Sequence, residues 1–374
     1  MIAEVPHQGG ATWAVLQYVL GFRELGHTVY FVEPVKPEAL LPAGASLESS
    51  INAAYFRQVA AEFGLENQAA LWLVGTEQTA GRAYADLRII ARTADVLVNI
   101  SGMLRDEALT EHIPSRVYLD LDPAFNQLWH ATQNIDMGFG GHNYHVTIGQ
   151  AIGLPSCTIP TCGLDWIRTL QPVVLKYWPD AGVRHSDFMS TVANWRAYGS
   201  IEYGGMFYGQ KAHSLRQFIQ LPVLSGEKFV LAMAIHPGEQ RDLAALKSNG
   251  WQLADPGQCA DTPGHYQRFI RESKAEFAIA KSGYAVSRCG WFSDRSVCYL
   301  ASGRPVIAQE TGFSAFLPTG EGLFTFSSCD DVMAGIEALR SDWARHSRAA
   351  RAIAEEYFDS GKVLTALLQG IGLS

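Results

Sequence analysis

Gly303-Arg304-Pro305 separates an apolar-striped segment, SDRSVCYLAS, from the short apolar run VIAQ, and this order of helix, glycine stop and strand constrains the chain more than any other feature. A Ser or Asp cap followed by apolar residues at helical spacing predicts a helix over 295–302, and Gly303 suits its left-handed end. A strand is expected over 305–309, with Glu310, Thr311 and Gly312 just past its C-terminal end, where open parallel sheets hold their ligands. The helix start sets free backbone N–H groups and the positive end of a dipole beside Ser293, Asp294, Arg295 and Ser296, which together favour an anion, phosphate first. The plainer alternative is a capped helix with Asp294 as cap and Arg295 on the surface.

The same alternation runs through the rest of the chain. Upstream, a Gly-rich turn leads to an amphipathic helix over 12–25, a Gly26-His27 turn and a strand over 28–32. Further strands are expected over 94–100, 116–120 and 144–148, each ending in polar or glycine residues. Residues 155–179 carry little periodicity and read as a covering loop or interdomain connection. The second half restarts with strands over 188–195, 229–235, 251–253 and 276–280 and helices over 213–220, 240–248 and 265–273. The expected fold class is α/β, two facing Rossmann-like domains over 1–185 and 186–350, with a C-terminal helix crossing back over 351–374. The ligand is expected in the cleft between them.

At 374 residues, the chain suits two domains of about 150 to 200 residues each. A formal charge of −8 leaves no basic field to capture a nucleic-acid backbone, so no nucleic-acid partner is expected. No apolar run reaches the roughly 18 residues that span a bilayer, and MIAEVPHQGG lacks a signal peptide's regions, so the expected location is cytoplasmic. Only residues 1–5 stand where a first strand is expected, so a native start upstream of Met1 is anticipated. The six cysteines show no CxxC and no zinc spacing, which points to reduced thiols. Neither G-x-G-x-x-G nor a Walker A motif occurs, which sets nicotinamide and P-loop chemistry aside.

The block SDRSVCYLASGRPVIAQETGFSAFLPTGEGLFTFSSCDDVMAGIEAL resembles the donor-binding half of GT-B nucleotide-sugar glycosyltransferases, and residues 343–368 have the position and apolar spacing of that fold's crossing helix. The resemblance covers the C-terminal half well and the N-terminal half in outline. Retaining members often carry two glutamates eight residues apart here; the matching positions are Gly290 and Cys298. The resemblance implies transfer of a sugar from a nucleotide diphosphate donor, a UDP-sugar favoured, to a small or medium-sized acceptor in the interdomain cleft. A nucleotide-sugar epimerase or hydrolase and a degenerate nucleotide-binding activator are the alternatives.

Sugar transfer requires charge opposite a departing diphosphate and a base or positioned acceptor. Resembling enzymes place Arg or Lys in the first strand-helix loop of the donor half, which implies Lys211 and, less closely, Arg196; a solvated first-turn lysine is the alternative for Lys211. Gly9 and Gly10 match the family's flexible loop near the donor phosphates, or form only a tight turn. His236 either touches the nucleotide or caps a helix, and Tyr284 and Trp291 are the aromatic rings placed to stack on base or sugar. His7, Asp120, Asp122, His142 and His145 are candidates for the base, of which Asp122 and His7 are favoured. Asp120-Leu121-Asp122 has the form of a metal-binding motif but ends a strand of the acceptor half, so no obligatory metal and no cofactor are expected.

Overall fold

The chain's first parallel pair sets Phe31 against Ala69, where the Phe31 N–H reaches the Gln68 carbonyl at 2.8 Å. A computed structural model describes residues 1–182 and 186–373, so the boundary expected after residue 185 lies outside the described residues. Strand β1 (Phe31–Val35) begins three residues later than the sequence suggests, because pairing to β2 (Ala69–Leu73) starts at Phe31. Strand β2, AALWL, is buried at every position and so carries no alternation by which to recognise it. It pairs antiparallel with β3 (Thr79–Gly81).

Four parallel strands form the other half-sheet of the N-terminal domain: β4 (Val96–Ile100), β5 (Ser115–Asp120), β6 (Tyr144–Thr147) and β7 (Trp166–Arg168). No ladder joins β1 to β4. Strand β7 arises inside the segment expected to be a covering loop.

The C-terminal domain begins with β8 (Phe188–Asn194) and the hairpin β9 (Ile201–Tyr203) and β10 (Met206–Tyr208). Gly204 and Gly205 turn that hairpin with φ +57° and +75°, the pairing a tight turn of matching twist requires. Then come β11 (Lys228–Ala234), β12 (Gln252–Ala254), β13 (Ala275–Ala278), β14 (Val306–Gln309) and β15 (Leu323–Phe326). Six of these strands make a parallel sheet in the order β12-β11-β8-β13-β14-β15. Strand order reverses at β8, with β11 on one side and β13 on the other, and such a switch point is where an open sheet leaves room for a ligand.

The helix Asp294–Ala301 follows the range read from its cap and glycine stop, but residues 295–301 are all buried. It lies inside a core that also contains Trp13, Trp178, Leu300 and Phe358, so both halves of the chain share one apolar interior. Trp13 and Trp178 meet edge to face with ring centroids 5.1 Å apart, and burial of such an indole contributes about 3 kcal/mol.

The C-terminal helix is interrupted. Trp343–Ile353 passes through a π-turn at Ala354–Phe358, and Asp359 then caps a separate helix, Ser360–Gly370, by accepting the Lys362 N–H at 3.2 Å. At this break the Val173 N–H donates to the Phe358 carbonyl at 2.7 Å and the Ser360 N–H to the Val173 carbonyl at 3.0 Å. The last helix crosses back to the first domain, where Leu364 and Leu367 join Tyr18, Phe22, Val117, Leu119 and Val146. A Cβ on Gly21 would stand 2.6 Å from Leu364, so the two helices approach at glycine distance. Among the described residues, no helix is long and apolar enough to cross a membrane.

Candidate active site between the two sheets

Asp120 ends β5 fully buried and organises the loop beyond it. Its carboxylate accepts the Thr147 hydroxyl at 2.8 Å, the Asn126 amide at 2.7 Å, the Gln127 amide at 2.8 Å and the Asp122 N–H at 3.0 Å. Burial pushes the carboxyl up to about 6 against these donors. Its function is therefore to shape the loop from which Asp122 projects.

Asp122 reaches the opposite domain. Its two oxygens accept the hydroxyls of Tyr198 and Tyr284, and the Lys281 ammonium stands 3.2 Å away. Tyr198 and Lys281 lie past the carboxyl ends of β8 and β13, the switch-point pair, and Tyr284 stands in the short helix Ser282–Ser287 that Lys281 leads into. Lys281 directly follows Ile279 and Ala280 beyond β13 and lies 3.7 Å from the Tyr198 ring centroid and 4.9 Å from that of Phe125. Burial lowers its basicity, and the Asp122 carboxylate opposes that effect. Gly283 permits this contact, because a Cβ there would meet the Phe125 ring at 2.5 Å.

An aromatic stack leads from this cluster to a second basic group. Tyr284 and Trp291 lie 4.1 Å apart at an interplanar angle of 10°, and the Lys211 ammonium sits 5.8 Å from the Trp291 ring centroid. Lys211 begins the helix Lys211–Leu215, is 8% exposed, and makes no hydrogen bond or ion pair among the described residues. Burial, then the neighbouring Arg295 charge, pulls its ammonium down to about 7. Glu276, Asp294 and Asp122 oppose this from a distance without pairing with it, so the ammonium is left open to a closer anion.

Arg295 points inward from the helix Asp294–Ala301. Its Nε bonds Glu276 and one Nη donates to the Val192 carbonyl at 3.0 Å, while among the described residues the other Nη has no partner, nor has Glu276 Oε2. Ser293 caps this helix by position only, without a side-chain bond to its N–H groups, and donates weakly to Asp294 at 3.5 Å. The Ser296 hydroxyl is buried and unpartnered.

The remaining expected residues divide into three groups. Glu310 accepts the Thr325 hydroxyl at 3.0 Å and the Gly312 N–H at 2.5 Å; burial would raise its carboxyl, but these bonds and Ser314 more than offset that and leave it lowered. Thr311 bonds the Trp291 carbonyl with its hydroxyl and receives the Gly290 N–H at 2.8 Å. Glu310, Thr311 and Gly312 thus fix the loop that presents Trp291. Gly312 has φ +94°, and a Cβ there would lie 2.5 Å from the Arg288 carbonyl oxygen.

Arg196 and His236 line a separate recess of about 630 Å³ past β8, β11 and β12, together with Trp195, Glu239 and Asp255. Arg196 pairs with Glu239, and His236 accepts the Gly238 N–H at 3.0 Å.

Gly9 and Gly10 press on the opposite domain, where Cβ atoms would lie 2.2 Å from the Thr262 carbonyl oxygen and 2.9 Å from the Tyr266 ring. His7 is exposed, packs on Tyr55 at 4.7 Å with φ +62°, and shares no contact with Asp122. His142, in the turn before β6, and His145, within that strand, bond the Phe139 carbonyl. Gly290, one of the two positions that would match a glutamate, has φ +77° and a Cβ site 2.9 Å from the Ala151 nitrogen. Cys298, the other, is buried against Gln17 at 3.7 Å. Sequence reading missed Lys281, although its place at a strand end is the same signal that singled out Asp122.

No protein-family model matches this chain, and no curated protein matches its sequence. Solved structures do. An alpha-glucosyltransferase in complex with UDP-glucose and DNA containing an abasic site aligns with a TM-score of 0.62 at 11% identity, over 98% of this chain and 97% of that one. Anabaena HepE in complex with UDP-glucose aligns at 0.55 and 13% identity, over 98% and 96%. A glycosyltransferase from Rickettsia africae aligns at 0.51 and 14%, over 97% and 94%. With parallel strands in both halves, a switch point at β8 opposite the Asp122 loop and a last helix that returns to the first domain, the chain has the GT-B fold seen in nucleotide-sugar glycosyltransferases.

Proposed function

We propose that this protein is a cytoplasmic, metal-independent glycosyltransferase that moves a sugar from a nucleoside diphosphate, UDP favoured, to a small or medium-sized acceptor in the interdomain cleft. The observation that carries this reading is Lys211, a buried ammonium in no hydrogen bond or ion pair among the described residues, beside a half-satisfied Arg295 and a helix start without a side-chain cap. A diphosphate supplies the missing charge, and the aromatic pair Tyr284 and Trp291 offers a face for a ring. UDP or UDP-glucose bound in the structurally similar enzymes supports that nucleotide.

In the reaction, the acceptor oxygen bonds to the anomeric carbon while the bond from that carbon to the diphosphate oxygen breaks. The departing electron pair stays on the diphosphate, opposite Lys211, and the acceptor proton leaves for a base. Asp122 is the favoured base: an acceptor hydroxyl that displaces the Tyr198 hydroxyl would donate to the same oxygen, while Lys281 and Tyr284 keep the carboxylate oriented. His7 has no part in this arrangement.

The acceptor is proposed to be a small molecule because the formal charge of −8 gives no field to draw a polyanion, although one structurally similar enzyme carries DNA. The test is calorimetric titration of nucleoside diphosphates and their sugars in excess chelator, followed by turnover with an acceptor panel that includes duplex DNA. Selective binding of one nucleotide, with product formed only when acceptor is present, supports the reading. Release of UDP without acceptor indicates a hydrolase, and binding without any turnover indicates a nucleotide-dependent activator. Either result overturns the transferase assignment, as would loss of all binding in chelator for metal independence.

A further inference from the structure

Sixteen residues, 195–210, separate the end of β8 from the helix Lys211–Leu215, where a strand-to-helix connection usually takes about two to six. The surplus is the hairpin β9–β10, which forms a sheet of its own and joins neither larger sheet. Two strands alone are marginally stable in water, so the order of this hairpin rests on what it touches. Its neck is braced within its own domain. The buried Gln210 side chain accepts the Ala197 N–H at 3.3 Å and donates to the Gly199 carbonyl at 3.2 Å, and the Gly283 N–H reaches the Gly209 carbonyl at 3.0 Å.

Beyond the neck the hairpin crosses to the other domain. Ile201 and Tyr208, 1% and 2% exposed, share one apolar cluster with Phe125 and Leu128 of the helix Phe125–Gln133 and with Ile152 and Ile159. Met206 and Phe207, beside the Gly204-Gly205 turn, stay about half exposed. Tyr198, near the start of the same connection, sets its ring centroid 4.5 Å from that of Trp129 and 5.1 Å from that of Phe125, and its hydroxyl donates to one Asp122 oxygen. The other Asp122 oxygen accepts the Tyr284 hydroxyl, so both oxygens of the favoured base are occupied by tyrosines. One side of the hairpin is therefore held by the opposite domain, and the tyrosine at its root is held by the group assigned to the chemistry.

We propose that the β9–β10 hairpin is a gate on the cleft, latched by Tyr198 to Asp122, and that this latch makes the site select an acceptor over water; the inference rests on the transferase reading above. A base that takes a proton from an acceptor hydroxyl also takes one from water. Water at Asp122 beside a bound donor gives hydrolysis: its oxygen bonds to the anomeric carbon, the bond from that carbon to the diphosphate oxygen breaks with the electron pair left on the diphosphate, and the water proton passes to Asp122. Tyr198 occupies the oxygen that this step requires. Water offers that oxygen one hydrogen bond in exchange for the one it displaces, and nothing for the packing of Tyr198 and Ile201 that opening the hairpin gives up. An acceptor with a ring or carbon skeleton replaces that packing as well, against Phe125 and Trp129. Tyr198 is thus a positioning residue, since it touches the base and acts through it.

The test uses three variants. Tyr198→Phe keeps the ring and removes the latch, Ile201→Ala loosens the hairpin from the opposite domain and keeps the latch, and Met206→Ala at the exposed tip is the control. Amide exchange read by mass spectrometry over residues 199–209 should quicken about tenfold or more in the first two, as expected for loss of a hydrogen bond to a charged group or of a buried side chain, and stay at the wild-type rate in the control. With UDP-glucose and no acceptor, the first two should release glucose about tenfold or more faster than the wild type, while Kd for UDP stays within about threefold. Unchanged exchange in Tyr198→Phe overturns the latch, and so does quickened exchange spread over the whole chain, which marks general loosening. Quickened exchange without faster glucose release overturns the selection against water. A protein that binds neither UDP nor UDP-glucose strikes the transferase reading and this role with it, whereas normal binding with unchanged exchange strikes the gate alone.

Discussion

Lys211→Met separates a ligand-binding lysine from a structural one by moving stability and affinity in opposite directions. The ammonium is pulled down to about 7, against an ordinary value of 10.5, by burial and by Arg295. Because the folded state holds this proton less tightly than the unfolded chain, stability rises with pH between about 7 and 10.5 and gains nothing further below 7. Replacing the lysine with methionine removes that rise and, at pH 7, leaves the melting temperature unchanged or higher. UDP behaves in the opposite sense. In the proposed donor site it binds the protonated lysine, so above about pH 7 each unit should weaken binding about tenfold, up to the full shift. Methionine removes a desolvated charge contact, for which about 2–4 kcal/mol, or roughly thirty- to a thousandfold in Kd, is expected at pH 6.5. Calorimetry with UDP from pH 6 to 9, on wild type and variant, reads both effects. A wild-type Kd that is flat with pH, or a variant that keeps UDP affinity but loses stability, would refute the reasoning.

Asp122→Asn should lower kcat by about 10²–10⁴ while UDP Kd changes less than about threefold, since the proposed reaction sets Asp122 at the acceptor and not at the diphosphate; a parallel fall in both indicates loss of domain contact instead. Glu276→Gln leaves the buried Arg295 charge uncompensated and should destabilise by about 3–5 kcal/mol in urea unfolding, with a neutral result placing Arg295 in solvent. Gly312→Ala forces a Cβ to within 2.5 Å of the Arg288 carbonyl oxygen at φ +94° and should cost about 2–4 kcal/mol. Its turnover should fall along with stability, because the displaced loop carries Trp291; unchanged activity would show that the stack is dispensable.

The helix Asp294–Ala301 and strand β14 were legible because a cap, an apolar stripe and Gly303 are local signals that agree with each other. Strand β2 was not, since a run buried on both faces has no period to detect. The break at Ala354–Phe358 was hidden for the opposite reason, as its residues keep a helical pattern through the π-turn and only the Val173 contact reveals the change. At the site, Asp122, Lys211, Tyr284 and Trp291 were visible as polar or aromatic residues near element ends. What spacing does not disclose is direction: Arg295 turns inward because Glu276 waits on the neighbouring strand, and Gly9 and Gly10 meet a helix from the other domain. Lys281 shows a further limit, since its role exists only once residues 159 positions apart are brought together.

Two stretches of chain pass between the domains, and at Val173 and Phe358–Ser360 they are sewn to each other by backbone bonds. Neither stretch can shift there without breaking those bonds, so any change of angle between the domains has to carry both crossings together. The contacts of Asp122 with Tyr198, Lys281 and Tyr284 tie the two domains together at a second place, across the cleft. If the proposed transfer takes place in this cleft, widening it means breaking those ties, so variants that weaken them should alter product release as well as chemistry.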